Sequence, residues 1–191
     1  MCVSEQVGMA KIRISKLDAA RRQIDCAIRM TFDCEDPVAI HTVIAAGHRI
    51  IRDLCEKLGN IESYLRFTDW IEPRYEKQFW GAINASANFL KHSDADPNSI
   101  HELNVENSDY MIVFASKWYR DLGNELSFEM QFFGLWWAIQ HPRVLKPELV
   151  AQFERAGGKE VMEQLIGSAR HLSRQDMCKL GKMALGREQR S

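Results

Sequence analysis

Two lines of polar, titratable side chains run beside apolar stripes at helical spacing, and chemistry in this chain would have to start from them. His41, His48 and Cys55 recur every seven residues, which puts them along one side of a single helix. Asn84, Asn88 and His92 recur every four, with Lys91 on the adjoining flank. Imidazoles can hold a proton or ligate a metal, amides can orient a polar ligand, and Lys91 can meet an anionic group. Seven residues are ~10.5 Å of helix axis, so His41 and His48 cannot share one metal ion and each acts singly with partners from other helices. The plainer reading of the first line is a boundary histidine hydrogen-bonded to a neighbouring helix. For the second line, the plain reading is a buried polar seam between helices and the functional one is a ligand site.

The helix exit His92-Ser93-Asp94-Ala95-Asp96-Pro97-Asn98 gathers an imidazole and two carboxylates. Its D-x-D-x-N piece resembles the opening of a calcium loop, but Ser99 stands where the glycine belongs and Val105 where the bidentate glutamate belongs. An Asx turn accounts for the same residues. His92, Asp94 and Asp96 would be the ligand set for a hard cation such as magnesium or manganese. The chain contains no phosphate-cradling glycine loop, G-x-S-x-G elbow, H-E-x-x-H helix or zinc-deaminase pattern.

The elements that must position these groups are helices. Ser15 with Asp18 makes a capping-box-like start to a first helix carrying Leu17, Ala20, Ile24, Ala27, Ile28 and Phe32 on one face and ending near Cys34. Asp36 and Pro37 start a second, with the stripe Ile40, Ile44, Gly47, Ile51, Leu54 and Leu58, ended by Gly59-Asn60. So short a connection predicts an N-terminal antiparallel helical hairpin. Pro73 opens a third helix with Phe79, Ile83, Ser86 and Leu90 on its inner side. Residues 94–107 are polar and turn-rich. The spacing predicts a fourth helix over 110–122, broken at Gly123-Asn124, and a fifth over 125–140, stopped by His141-Pro142. Shorter helices are expected from Pro147, over 161–166 and over 174–185.

The expectation is therefore an all-α single domain, a bundle of about six to eight helices over residues 15–185, between an N-terminal segment (1–14) and a C-terminal tail (186–191). Arg49 with Asp53 and Arg52 with Glu56 have the spacing of ordinary surface ion pairs. The fifth helix, with Phe128, Met130, Phe132, Phe133, Leu135, Trp136, Trp137 and Ile139, is apolar on nearly every side, which suits a core centre or a twofold subunit boundary. Six basic residues from Arg170 onward read as a solvated terminal helix, and without interleaved aromatics they make nucleic acid an unlikely partner. Cys2, Cys26, Cys34, Cys55 and Cys178 form no C-x-x-C pair and read as reduced, mostly buried thiols. A net charge of -1 gives no global pull toward polyanions. No signal-peptide pattern opens the chain and no apolar segment approaches the ~20 residues that span a bilayer, so no membrane association and a cytoplasmic location are expected.

The hairpin of residues 19–32 and 39–54, followed by a helix ending in Asn88-Phe89-Leu90-Lys91-His92, resembles the HEPN family of helical bundles over about the first half of the chain. The resemblance implies a small bundle that dimerises, and an RNase built on an arginine and a histidine four to six residues apart. His92 and Asn88 match that pattern, whereas Ala85, Ser86 and Ala87 occupy the places open to the arginine. The chain is also similar to bacterial proteins carrying D-P-V-A-x-H-T and N-F-x-K-H motifs. The leading expectation is a non-catalytic or degenerate HEPN-like homodimer binding a small polar ligand or a protein partner through His41, His48, Asn84, Asn88, Lys91 and His92. The alternative is an RNase-like toxin or a metal-dependent hydrolase centred on His92.

Overall fold

Two local caps set the first hairpin. In the computed structural model, which describes residues 11–58, 73–92, 97–141 and 172–188, Ser15 Oγ accepts from the Asp18 amide at 3.0 Å and opens α1 (Lys16–Phe32). Asp36 Oδ1 accepts from the Val38 and Ala39 amides at 2.8 and 3.2 Å and opens α2 (Pro37–Lys57), with Pro37 in the first turn. Between them Cys34 turns the chain at φ 56°. The two helices close face to face at Gly47, where an added Cβ would stand 3.3 Å from the Ala20 carbonyl oxygen. Around this contact Ala20, Ile24, Ile28, Ile44 and Ile51 are buried as one apolar seam.

Four further helices complete the described part: α3 (Pro73–Phe89), α4 (Glu106–Asp121), α5 (Phe128–Gln140) and α6 (Arg174–Glu188). The fold is an all-α bundle, with six helices and no strand among the described residues. Helix α4 lies on both helices of the hairpin, α5 on α1 and α4, α6 on α1 and α5, and α3 on α2 and α4. The helices expected around 147 and over 161–166 lie outside the described residues, as does the stop at 59–60. No described helix is long and apolar enough to cross a membrane.

Two helix starts differ from the sequence expectation. Helix α4 begins at Glu106 rather than at residue 110, because Asn104 Oδ1 accepts from the Glu106 amide at 3.0 Å and two acidic residues in the first turn favour the helix N-terminus. Helix α5 begins at Phe128, not at 125. Ser127 Oγ accepts from the Met130 amide at 3.2 Å and donates to Asp25 Oδ1 at 2.6 Å, so one hydroxyl caps α5 and ties it to α1. The apolar circumference of α5 is mainly core: Met130, Phe133, Trp136 and Trp137 are buried, while Phe128 and Leu135 stand exposed.

Helix α6 is not a freely solvated basic tail. Arg174 makes two hydrogen bonds to the buried Asp109 of α4, and Lys182 Nζ donates to Asp33 Oδ1 at 2.7 Å. Between them Gly181 admits the Phe32 ring so closely that a Cβ there would sit 2.3 Å from its carbons. Phe32 is hemmed in by Phe132, Phe133 and Trp136, with centroids 5.3 to 5.8 Å away, and cannot yield cheaply. Gly181→Ala is therefore expected to cost about 1–3 kcal/mol in urea unfolding, as overpacking does. Gly186→Ala on the same helix, facing open space, is the control and should be neutral or slightly stabilising.

Candidate functional site

Helix α2 carries both histidines of the first polar line into the interior. His41 is 0% and His48 2% exposed, so the line lies against α4 and not on the flank of the apolar stripe. Their surroundings differ. His41 Nδ1 is 3.1 Å from Ser108 Oγ in the first turn of α4, and its Nε2 is buried without a hydrogen-bond partner. The His41 pKa is lowered, first by burial and then by the positive charges of His101 and Lys91. Among the described residues no carboxylate offsets them.

His48 sits two turns further along among indoles, its ring 5.2 Å from Trp118 and 6.2 Å from Trp80. Burial pulls its pKa down to about 3, with the Arg52 charge a smaller cause. Such an imidazole is neutral throughout the physiological range and serves as an aromatic core member. Cys55 completes the line, buried, its Sγ 3.9 Å from the Trp118 carbonyl and its thiol pushed up to about 11 by burial.

The second line is an outer surface and not a buried seam. Asn84 is half-buried and its Nδ2 donates to the Trp80 carbonyl one turn back at 2.7 Å. Asn88, Lys91 and His92 are exposed, and the Asn88 carbonyl accepts the Lys91 and His92 amides, both at 3.1 Å, to end the helix. The structure thus brings His41 and Lys91 within electrostatic reach of each other and places His48 in a separate aromatic setting. Asp94 and Asp96 lie outside the described residues. Among the described residues no three histidine, cysteine, aspartate or glutamate side chains gather to hold a metal ion.

One functional candidate has little signal in the sequence. His101, from the polar stretch before α4, places Nε2 2.7 Å from Ser86 Oγ on the inner side of α3 and stacks on Phe89 with centroids 5.2 Å apart. Only the isolated imidazole in a run of turn formers could have marked it. His41 with Ser108 and His101 with Ser86 form two serine–histidine contacts, yet both hydroxyls are at most 2% exposed, which removes them as nucleophiles for an incoming substrate. What remains accessible is a polar rim of the half-buried His101 and the exposed Lys91, within electrostatic reach of the buried His41. Compared with protein-family models, with curated proteins and with solved structures, the chain matches none.

Proposed function

We propose that this protein is a non-catalytic, degenerate HEPN-like bundle that binds a small anionic ligand where the start of α2, the end of α3 and the start of α4 meet. One observation carries the reading: the fully buried His41 keeps Nε2 unsatisfied beneath the charges of His101 and Lys91. Buried polar atoms are normally paired, and an anion on this rim would offset the positive neighbours that act on His41 while offering acceptors to Lys91 and His101. The buried hydroxyls and the alanines at positions 85 and 87 favour binding over catalysis. In this reading the protein is a cytoplasmic homodimer, with exposed Phe128 and Leu135 of α5 contributing to the twofold contact.

Inorganic phosphate, citrate and a nucleoside monophosphate are the probes. Each ligand that binds raises the melting temperature with concentration by mass action. The rise should be larger at pH 6 than at pH 8, because a bound anion offsets the positive neighbours that lower the His41 pKa and so favours its protonated form. Lys91→Ala, an exposed substitution that leaves the fold intact, should weaken binding about tenfold, the scale of one charged hydrogen bond. No probe shifting the melting temperature at either pH would overturn the proposal. RNA cleavage lost in His92→Ala would replace it with the RNase reading, and light scattering of a monomer at high concentration would remove the dimer.

A further inference from the structure

Three consecutive residues at the end of α1 and in the turn to α2 meet one face of α6. Phe32 packs over Gly181, Asp33 pairs with Lys182, and Cys34, the next residue, comes close enough to Cys178 for the two thiols to act on each other electrostatically. Residues 178, 181 and 182 are neighbours on a helix surface, so the three contacts form one continuous patch. Cys34 is exposed, and among the described residues it is the one non-glycine residue with positive φ. That left-handed backbone is uncommon outside glycine, asparagine and aspartate, and it turns the residue out of the helical path toward α6. Cys178 is buried behind it.

We propose that Cys34 and Cys178 are a redox modification site, forming a reversible intramolecular disulfide when the protein meets a hydroperoxide and so fastening α6 to the α1–α2 turn. The exposed Cys34 sulfur attacks the hydroperoxide, the O–O bond breaks, and Cys34 becomes a sulfenic acid as an alcohol, or water from hydrogen peroxide, departs. The Cys178 sulfur then attacks the Cys34 sulfur, the S–S bond forms, the S–O bond breaks, and the hydroxyl leaves as water with the Cys178 proton. Two thiols lose two electrons and the hydroperoxide gains them. Exposure sets the order of events. Burial shields the Cys178 thiol from solvent oxidants and pushes it up to about 11, so its accessible electrophile is an oxidised sulfur at Cys34. Reduction runs through the same exposed atom, since a solution thiol can reach only Cys34. A labile bond of this kind suits a reducing compartment, where lasting structural disulfides are rare.

The test is treatment of the full chain with hydrogen peroxide, alkylation of remaining thiols, digestion and mass spectrometry. The expected product is a peptide pair joined through Cys34 and Cys178 that dithiothreitol separates, with the melting temperature raised by roughly 5–10 °C because the crosslink closes most of the chain into a loop. Cys34→Ser should abolish both effects while circular dichroism reports an unchanged fold, the side chain being exposed. Cys178 remaining fully alkylatable after peroxide would overturn the proposal, whether Cys34 is untouched, overoxidised or joined to a second chain.

Discussion

Arg174→Ala is expected to lower the unfolding free energy by about 3–5 kcal/mol, the cost of leaving the buried Asp109 carboxylate without its partly exposed partner. Asp109, in the first turn of α4, is 3% exposed and receives both terminal nitrogens of Arg174, with Nη2 at 2.7 Å from Oδ1. The guanidinium also lies 6.0 Å from the Trp136 ring centroid, whose indole N–H donates to the Met177 carbonyl at 3.2 Å. One side chain thus joins α4, α5 and α6. Even so paired, the Asp109 carboxyl sits above its ordinary pKa, because burial outweighs the hydrogen bond and charge of Arg174.

The sign of the pH dependence follows from that imbalance. With Arg174 removed, folded Asp109 would hold a proton that the unfolded chain releases above its ordinary value of 3.8, so falling pH favours the folded variant. The loss measured by urea unfolding should be larger at pH 8 than at pH 5. Arg174→Met combined with Asp109→Leu removes both charges while keeping volume, and should recover most of the stability. A loss below about 1 kcal/mol for Arg174→Ala alone would mean that α6 is held by its apolar contacts, as exposed ion pairs contribute no more than that.

Arg174 also marks the boundary of what the sequence could reveal. Caps are local: Ser15 with Asp18, and Asp36 with Pro37, announce their helices within four residues, and both helices form where those signals stand. Surface ion pairs are local too, and Arg49 meets Asp53 at 3.2 Å and Arg52 meets Glu56 at 3.7 Å. The start of α4 was not legible, because Ser108 and Asp109 are turn formers by composition and their partners, His41 and Arg174, lie more than sixty residues away. A still longer separation in sequence conceals the approach of Cys34 to Cys178. Periodicity placed His41, His48 and Cys55 correctly in one line, but spacing says only that residues share a side, not which helix covers it. Helix α4 does, and it turns a boundary line into an interior one. For Asn84, Asn88 and His92 the same ambiguity resolves outward, since α3 reaches α2 and α4 through the side bearing Ile83, Ser86 and Ala87.

Acidification should destabilise the protein through His48 well above the pH at which most carboxylates titrate. In the unfolded chain this imidazole takes a proton near 6.5, and in the folded chain only near 3, because protonation would place a charge among Trp80 and Trp118. Above pH 6.5 both states are neutral and His48 contributes nothing to pH dependence. As pH falls from 6.5 toward 3 the unfolded state gains a proton that the folded state refuses, and stability drops by up to about 1.4 kcal/mol per pH unit, about 4–5 kcal/mol in all. His41, lowered for the same first cause, adds to the loss. Asp25 and Asp109 act in the opposite direction, their raised values making the folded state the better proton acceptor as pH approaches the carboxylate range. The imidazole effect is therefore cleanest between pH 7 and 5. His48→Phe keeps an aromatic ring against the indoles and removes the proton site. Urea unfolding across that interval should show a shallower slope for the variant than for the wild type, by approaching one proton at its lower end. Equal slopes would mean that water reaches His48 in the folded state, and the aromatic enclosure would then fail as the cause of its neutrality.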